Sequence, residues 1–345
     1  MPNTKAYAAY APDQDLKPFE FDRRSVGDDD VKVKIDYCGI CHSDIHFAHD
    51  DWGMTEYPVV PGHEIIGHVT EVGSKVTRFK PGDLVGIGCM VDSCRECTPC
   101  KNDLEQFCEK GMVMTYGSPD PEMGGVTQGG YSSQIVVKEH FVLNISDKLD
   151  LKGVPPLLCA GITTFSPLNQ WKVGKGQKVG VIGLGGLGHM GVKFAAAMGA
   201  EVVMITRSPE KGEDAKRLGA SSVLVSTDQE AMASQAGTFD FLLNTIPVAH
   251  DINPYMPLLK FNKTMVLVGA TPIEVHSMQM IFGNRHLSGS LIGGIKETQE
   301  MLDFCAEHNI VSDIEMVNIQ DVNTAYERVM KGDVKYRFVI DMKSL

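Results

Sequence analysis

The sequence predicts an α/β protein that combines a small β-barrel domain with a doubly wound, parallel-sheet domain. Two observations point to this fold: the texture of the chain changes near residue 152, and a glycine-rich turn follows the first strand of the second part. Before residue 152, short alternating strands are separated by turns rich in glycine and proline, which is typical of a small barrel. After Gln177, apolar strands alternate with helical segments, which predicts a parallel sheet with helices packed against it.

Local periodicity predicts the individual elements. The strands of the barrel are VKVKIDYCGI, IIGHVTEVG, DLVGIGC and YSSQIVV. The strands of the sheet are KVGVIG, EVVMIT, SVLVS, FDFLLN, TMVLVGA and HLSGSLIGG, and LGHMGVKFAAAMG and PEKGEDAKRLG are helices between them. An amphipathic helix, KETQEMLDFCAEH, and a strand, YRFVIDM, end the chain and are expected to return to the first domain. The predicted domains are therefore residues 1–152 with 295–345, and residues 153–294.

Composition and charge narrow the class of protein. The 345 residues are 43% hydrophobic and 22% charged, which is typical of a soluble globular protein of two domains. A net charge of −12 argues against nucleic acid as a partner. No run of 18 apolar residues occurs, so no membrane span is expected, and the first residues lack the apolar core of a cleavable leader. We therefore expect a cytoplasmic protein whose nine cysteines are reduced.

Four cysteines lie close together in the segment GCMVDSCRECTPCKNDLEQFC. Cys94, Cys97, Cys100 and Cys108 have the spacing C-x2-C-x2-C-x7-C, so all four thiols can face one point. Four thiolates around one point form a closed, structural zinc site. The alternatives are two local disulfides, four unrelated thiols or an iron–sulfur cluster. A reducing compartment disfavours disulfides, and the spacing differs from that of bacterial ferredoxins.

A glycine-rich turn predicts a dinucleotide site in the second domain. The motif G-x-G-x-x-G consists of Gly183, Leu184, Gly185, Gly186, Leu187 and Gly188. It follows the strand KVGVI and opens a helix, which is the context in which this motif binds a dinucleotide. Gly183 permits the tight turn, Gly185 lets the backbone approach a pyrophosphate, and Gly188 lets helix and strand pack. The alternative is a glycine-rich turn without a ligand.

The end of the next strand selects between NAD and NADP. In NAD-binding proteins an acidic residue about 20 positions after the motif bonds the ribose 2′-hydroxyl. This chain has Thr206, Arg207 and Ser208 there, with Lys211 one turn later. A guanidinium and hydroxyl groups suit a 2′-phosphate, which predicts NADP(H). The alternative is that Arg207 is only a solvated surface charge.

A second set of possible zinc ligands lies outside the cysteine cluster. Cys41 follows a predicted strand, His63 lies at a turn, and Cys159 stands where the barrel ends. Two cysteines, a histidine and one open position form a catalytic zinc arrangement. Spacing alone does not unite these residues, and Cys159 is equally well explained as a buried thiol. The remaining cysteines, expected to be buried thiols, are Cys38, Cys89 and Cys305.

Together these residues resemble the zinc-dependent medium-chain alcohol dehydrogenases over nearly the whole chain. The stretches that carry the resemblance are YCGICHSDIH, YPVVPGHEIIGHVTEVGSKV, GDLVGIGCMVDSCRECTPC, GGYSSQIVV, PLLCAGITTFSPL, GLGGLGHMGVKFAAAMGA and GDVKYRFVID. Within this family the chain is most similar to the cinnamyl-alcohol-dehydrogenase branch and its bacterial aldehyde reductases. The resemblance implies a GroES-like β-barrel as the catalytic domain and a Rossmann fold as the dinucleotide-binding domain.

The resemblance also implies roles at the zinc ions. The catalytic zinc ligands of the family are matched by Cys41, His63 and Cys159, and the structural zinc ligands by Cys94, Cys97, Cys100 and Cys108. Glu64 matches a carboxylate beside the catalytic zinc that can serve as a transient ligand. Asp44 matches an acid near the same zinc, and Arg337 is expected to be its partner.

Further residues match positions that handle protons and cofactor. Ser43 matches the hydroxyl that contacts the substrate oxygen. His46 matches the surface end of a proton relay that runs through the nicotinamide ribose. Thr163 matches a position beside the nicotinamide, and Ser208 and Lys211 match contacts to the 2′-phosphate.

The substrate pocket of the branch is lined at or near Trp52, Met54, Met114, Leu291 and Ile295. Plant enzymes that act on cinnamyl substrates typically carry a tryptophan where Met114 stands. Because methionine is pliable, a broad range of aldehydes is expected. The alternative for each of these residues is an ordinary position in the core.

The resemblance thus implies a broad-specificity alcohol dehydrogenase and aldehyde reductase with two zinc ions and NADP(H). It is expected to interconvert aromatic or aliphatic aldehydes and primary alcohols as a homodimer, without nucleic acid or membrane as partners. One alternative is a zinc-free enone or quinone reductase, which would lack the cysteine cluster and the sequence around His63. The other is a non-enzymatic structural or redox protein, which is expected to have lost Cys41, His63 or Ser43.

Overall fold

The computed structural model describes residues 3–345, and its strands follow the apolar runs of the sequence. They are numbered in chain order as β1 (Thr4–Ala8), β2 (Lys17–Phe21), β3 (Asp30–Ile40), β4 (Ile65–Val72), β5 (Leu84–Ile87), β6 (Met90–Asp92), β7 (Val113–Met114), β8 (Gln134–Lys138), β9 (Leu143–Asn144), β10 (Lys178–Ile182), β11 (Glu201–Thr206), β12 (Ser222–Val225), β13 (Phe239–Asn244), β14 (Leu259–Leu267), β15 (His286–Gly289), β16 (Ile314–Asn318) and β17 (Arg337–Asp341).

The α-helices are fewer and are concentrated in the second half of the chain. They are α1 (His42–Ala48), α2 (Thr98–Lys101), α3 (Ala160–Gln170), α4 (Gly186–Ala197), α5 (Gly212–Arg217), α6 (Gln229–Ser234), α7 (Ser277–Ile281), α8 (Ile295–His308) and α9 (Val322–Met330). Short 3-10 helices cover Glu105–Phe107, Glu139–Phe141, Leu151–Gly153, Pro155–Leu158, Pro209–Lys211, Met256–Leu258, Ile319–Asp321 and Met342–Ser344. No helix in residues 3–345 is both long and apolar enough to cross a membrane.

Contacts divide the chain into two units. One comprises Met1–Cys159 and Gly293–Leu345, and the other comprises Ala160–Ile292. The sequence placed the first boundary earlier, between residues 152 and 153. The difference arises because the 3-10 helix Pro155–Leu158 contacts β3, β4, β5 and β17, all of which belong to the first unit.

The first unit is organised around the long strand β3. One edge of β3 pairs antiparallel with β4, and the other edge pairs with β8 near its start and with β17 near its end. The strands of this sheet pair in the order β16-β17-β3-β4-β5-β9, and β8 also pairs with β3. Among the described strands, the two ends of this order do not pair with each other. Val31, Val33 and Ile35 are buried while Lys34 is exposed, which is the alternation expected of a half-buried strand. The end of β3 therefore meets the last strand of the chain.

The second unit contains one parallel sheet of six strands in the order β12-β11-β10-β13-β14-β15. This is the strand order of a doubly wound dinucleotide-binding fold, so the predicted fold class is confirmed. The strands are nearly continuous apolar runs because both faces of the sheet are covered. In β11, for example, Val202 to Thr206 are all buried. The strand order reverses between β10 and β13, and such folds bind their ligands at that point.

Candidate active site and metal centres

The candidate catalytic donors come together within the first unit. One donor atom from each of Cys41, His63, Glu64 and Cys159 lies within 4.8 Å of every other. The Sγ atoms of Cys41 and Cys159 are 3.8 Å apart. Zinc–sulfur bonds of about 2.3 Å at a tetrahedral angle put two sulfurs about 3.8 Å apart, so the spacing of the two thiols suits zinc.

Sheet pairing explains why donors so distant in sequence meet. Cys41 directly follows β3 and is the N-cap of α1. His63 and Glu64 directly precede β4, and the β3–β4 ladder pairs Cys38 with Ile65. Cys159 follows the 3-10 helix that packs on both strands. Two strand ends and one helix end therefore deliver the donors to one point.

Asp44 links the two segments that carry Cys41 and His63. Its side chain is fully buried. Its Oδ2 accepts from the backbone N–H of Cys41 at 2.8 Å, and its Oδ1 accepts from the N–H of Gly62 at 3.0 Å. Nδ1 of His63 lies 3.1 Å from Oδ1, which leaves Nε2 of the ring for a metal. The carboxylate thus fixes both the ring and the start of α1.

Glu64, not Asp44, is the ionic partner of Arg337, so the expected pairing of Arg337 with Asp44 is wrong. The guanidinium forms a buried ion pair with Oε1 of Glu64 and donates to the carbonyl oxygen of Ile40 at 2.8 and 3.2 Å. The reason is the register of β17, which places Arg337 beside the end of β3. A Cβ at Gly39 would collide with the Glu64 carboxylate, so glycine is needed for this approach.

The Glu64 carboxylate is only half satisfied. Burial raises the pKa of this carboxyl to about 7, although the charge of Arg337 acts in the opposite direction. Its Oε2 is buried and has no hydrogen-bond partner among the described residues. A buried oxygen without a partner is uncommon in proteins. A bound cation would satisfy it, which fits a metal among the four donors.

The two thiols behave as a pair. The pKa of Cys41 lies well below its ordinary value, because Cys159 hydrogen-bonds to it and because His63 and Arg337 outweigh the opposing effect of burial. Metal ligation requires thiolate, so this environment favours the ligating form of Cys41. Cys89 is half-buried and lies outside the donor set, and its thiol donates to the carbonyl of Leu158 at 3.6 Å. Cys38 and Cys305 are buried as predicted, but the same prediction is wrong for Cys89, because it lies beside the donor set, which is itself only partly buried.

The four clustered cysteines also bring their sulfurs to one point. The Sγ atoms of Cys94, Cys97, Cys100 and Cys108 lie within 4.8 Å of one another, with Cys94 and Cys100 3.9 Å apart. The backbone N–H groups of Glu96 and Cys97 donate to the Cys94 sulfur and lower its pKa to about 6. All nine cysteines are free, so the geometry favours metal over disulfides.

Helix α1 also carries the residues matched to proton transfer. Oγ of Ser43 lies 3.8 Å from Sγ of Cys41, beside the donor set. Nδ1 of His46 lies 2.7 Å from Oδ2 of Asp51, and its ring centre is 5.3 Å from that of Trp52. Sequence reasoning missed Asp51, because an acid in a polar loop carries no pattern of its own. The His46 side chain is 29% exposed, so it can exchange protons with water.

The turn between β10 and α4 has the geometry of a phosphate-binding loop. Gly183 has a φ of +92°, which disfavours residues with a side chain. A Cβ at Gly188 would collide with the carbonyl of Gly183, so helix and strand pack closely there. A Cβ at Gly185 would meet no protein atom within 4 Å, which leaves this backbone open to a ligand. Gly186 and Leu187 form the first turn of α4, whose N-terminus favours anions.

The end of β11 presents basic and hydroxyl groups next to this turn. The Arg207 side chain is exposed, and the N–H of Ser208 donates to Oγ1 of Thr206 at 3.1 Å. Nζ of Lys211 donates to the carbonyl of Leu184, inside the glycine-rich turn, at 3.3 Å. The turn and the predicted 2′-phosphate slot are therefore adjacent. Thr163, elsewhere in this unit, is a buried residue of α3.

The predicted pocket residues belong to different elements of the chain. Trp52 and Met54 are exposed after α1, and Met114 is half-buried in β7. Ile295 is buried at the start of α8, where its N–H donates to Oε2 of Glu105 at 3.1 Å. Leu291 is exposed and belongs to the second unit. Trp52 contacts a residue matched to catalysis, since its ring centre lies 5.3 Å from that of His46, with the two ring planes tilted by 37°.

Known proteins match the chain along its length. The family model of the alcohol dehydrogenase GroES-like domain matches residues 27–147, and that of the zinc-binding dehydrogenases matches residues 186–307. The chain is 53% identical to an aldehyde reductase of Escherichia coli (YahK), with 99% of each protein covered.

Solved structures agree with this result. A cinnamyl alcohol dehydrogenase from Sorghum bicolor superposes with a TM-score of 0.96 at 45% identity, covering 99% of this chain and 98% of that one. A cinnamyl alcohol dehydrogenase from Helicobacter pylori, solved with NADP(H), superposes with a TM-score of 0.91 at 46% identity and the same coverage.

The two donor sets predict two zinc ions with separable roles. We expect two zinc ions per chain by elemental analysis. Cys41→Ser should yield folded protein with one zinc and little activity. Cys97→Ser should instead lower the yield of folded protein, because binding of a structural zinc contributes on the order of 10 kcal/mol to folding.

Cys305→Ala is the matched control, since this buried thiol belongs to neither donor set. It should keep both ions and full activity. Active wild-type protein without zinc would contradict the assignment of both sets.

Proposed function

This chain belongs to the zinc-binding dehydrogenases that carry an alcohol dehydrogenase GroES-like domain, and from that premise we propose that it is a broad-specificity, NADP(H)-dependent aldehyde reductase and alcohol dehydrogenase. The observation that carries the proposal is the donor set of Cys41, His63 and Cys159, beside a buried Glu64 oxygen that has no hydrogen-bond partner among the described residues. Three ligands with an open position are typical of catalytic zinc. A zinc-free enone reductase needs no such set.

One set of residues would bind the catalytic zinc, and another would bind NADP(H). Cys41, His63 and Cys159 would hold the catalytic zinc, and the turn from Gly183 to Gly188 would hold the pyrophosphate of NADP(H). When bound, zinc supplies a Lewis acid and NADPH supplies hydride, which together reduce an aldehyde to a primary alcohol. Asp44 keeps the His63 ring in place through Nδ1.

The protein itself must deliver the proton that completes the alcohol. The hydroxyl of Ser43 lies 3.8 Å from the Cys41 sulfur, so it would supply this proton beside the metal site. His46 lies on the same helix and is partly exposed, and it can restore protons from water. Asp51 orients the imidazole by accepting from Nδ1, which leaves Nε2 for proton transfer.

The broad specificity rests on the character of the pocket residues. Met54 and Met114 supply flexible, polarisable side chains, and Trp52 supplies a flat apolar face beside His46. Such surfaces accept both aromatic and aliphatic aldehydes. Ile295, in the same unit, is assigned to this pocket by its match to the cinnamyl-alcohol-dehydrogenase branch.

We further propose that the protein is a cytoplasmic homodimer formed through the second unit. Strand β15 ends the six-stranded sheet, and among the described strands it pairs only with β14. Near it, Phe261, Ile281 and Phe282 are 74, 67 and 79% exposed. A free sheet edge flanked by apolar side chains favours pairing with a second copy about a twofold axis. A reducing cytoplasm keeps the thiol ligands available for zinc.

Cofactor preference is the main test of the proposed function. With an aldehyde panel, we expect kcat/KM to favour NADPH over NADH by about a hundredfold. One or two charge-assisted contacts to the 2′-phosphate are worth roughly 1.5–3 kcal/mol each before solvent screening. Arg207→Asp should narrow or invert the preference, because it repels the phosphate and supplies an acceptor for a 2′-hydroxyl.

Arg217→Asp makes the same charge change on α5 and should leave the preference unchanged. Equal kcat/KM values for the two cofactors would show that Arg207 is a solvated bystander. Failure to oxidise NADPH with any aldehyde would refute the proposed function itself.

His46 is predicted to assist proton transfer without being indispensable. His46→Gln should slow turnover by about ten- to a hundredfold, at the low end of general acid–base effects, since water can replace a partly exposed relay. His49→Gln, a change at an exposed histidine that ends the same helix, should have little effect. An unchanged pH–rate profile in His46→Gln would remove this residue from the mechanism.

The dimer proposal predicts that one charge at the apolar edge separates the subunits. Phe282→Asp should shift the protein from dimer to monomer in sedimentation experiments, because a carboxylate cannot be buried there unpaired. Met123→Asp places the same charge at an exposed apolar residue of the first unit and should leave the dimer intact. A wild-type protein that sediments as a monomer would refute the proposal.

A further inference from the structure

The segment Gly129-Gly130-Tyr131 is conspicuous in the sequence but has no part in the mechanism above. Its backbone runs directly against the segment that ends at His63. The N–H groups of Gly129, Gly130 and Tyr131 donate to the carbonyls of Val60, Gly62 and Pro61 at 2.7, 2.8 and 2.9 Å. These three hydrogen bonds fasten the segment to the loop that carries His63.

Close approach explains the two glycines. A Cβ at Gly130 would lie 2.9 Å from Sγ of Cys38 and closer still to the side chain of Ile65. A Cβ at Gly129 would collide with the carbonyl of Pro61. The backbone can therefore run this close to its neighbours only where the residues have no side chain. The next residue, Tyr131, points its side chain into the protein, where it is fully buried.

The hydroxyl of Tyr131 ends at the carboxylate that links the two donor segments. It donates to Oδ2 of Asp44 at 3.2 Å. The hydroxyl of Tyr326, from α9, donates in turn to that of Tyr131 at 3.5 Å. Burial, reinforced by the charge of Asp44, raises the pKa of both phenols well above their ordinary value, so both remain protonated donors.

We propose that Tyr131 is a positioning residue for the catalytic metal: its hydroxyl, oriented by Tyr326, holds the Asp44 carboxylate in the one orientation that fixes both Cys41 and His63. The inference rests on the proposed function, in which Cys41 and His63 are zinc ligands. It adds a residue that touches neither metal nor substrate and acts through Asp44.

The argument follows from how the carboxylate is shared. Oδ1 serves the His63 segment, and Oδ2 serves the N–H of Cys41 and the hydroxyl of Tyr131. Without that hydroxyl, Oδ2 loses one of its hydrogen bonds in a fully buried site, and the carboxylate is held less firmly toward the two donor segments. Loss of a direct outer partner of a ligand typically weakens metal binding by about 10- to 100-fold. Tyr131 is one hydrogen bond further from the ligands, so we expect its loss to weaken zinc binding by about tenfold, the lower end of that range.

The experiment uses Tyr131→Phe, which removes only the oxygen. Zinc retained per chain is measured after equilibration with graded concentrations of a chelator, and the four-cysteine set serves as an internal reference. One zinc should be lost at about tenfold lower chelator concentration than in the wild type, while the other is retained equally. Tyr326→Phe should show the same selective loss with a smaller shift.

Tyr57→Phe is the matched control, because its hydroxyl donates to the carbonyl of Ala48 at 2.9 Å and not to Asp44. It should retain both ions like the wild type. The thermal midpoint of unfolding of the zinc-saturated variants distinguishes a role in positioning the metal ligands from a general role in packing the core. A selective loss of one zinc at an unchanged midpoint supports the proposal, and parallel loss of both ions with a lowered midpoint overturns it.

The remaining outcomes are also decisive. Identical zinc retention in Tyr131→Phe, Tyr57→Phe and wild type overturns the role of Tyr131 while leaving the proposed function intact. Fewer than two zinc ions in the wild type would instead refute the proposed function, and the inference with it. If Tyr131→Phe does not fold, the proposal is tested with Tyr326→Phe instead. Zinc retention equal to that of the wild type in Tyr326→Phe then overturns the proposal.

Discussion

The buried ion pair between Arg337 and Glu64 is the interaction on which the candidate catalytic site depends. Taking either charge out of water alone costs several kcal/mol, so each group is stable inside the protein only beside the other. Arg337 also donates twice to the carbonyl of Ile40, which ends β3. The ion pair therefore fixes the positions of β17, β3 and the start of β4 relative to one another. Cys41 follows the end of β3 and His63 precedes the start of β4, both within a few residues of the ion pair. The alignment of the strands therefore brings the two donors together.

The features that local sequence determines were predictable. The parallel sheet follows from alternating apolar strands and helices, and the glycine motif at β10 follows from the strand before it and the helix after it. The four-cysteine set follows from spacing alone, because all four thiols lie within one short loop. Cys41, His63 and Cys159 are separated by long stretches of chain, so only the resemblance to a known family united them before the structure did.

The partners of charged groups were not predictable in the same way. Arg337 was expected beside Asp44, and its pairing with Glu64 depends on a register between β17 and β3 that no local pattern encodes. Asp51 and Tyr131 were missed for a related reason. One looks like an ordinary loop acid and the other like an ordinary core aromatic, and their roles appear only where α1 and the Gly-Gly-Tyr segment place them.

The division of the first unit into two stretches of chain has a consequence during synthesis. Cys41, His63, Glu64 and Cys159 leave the ribosome before the whole second unit, whereas Arg337 emerges after it. Domains fold as units while the chain grows, yet this sheet cannot be completed until β17 arrives. In the interval Glu64 has no cation of its own beside it. The Glu64 carboxylate therefore stays uncompensated until the whole second unit has been synthesised.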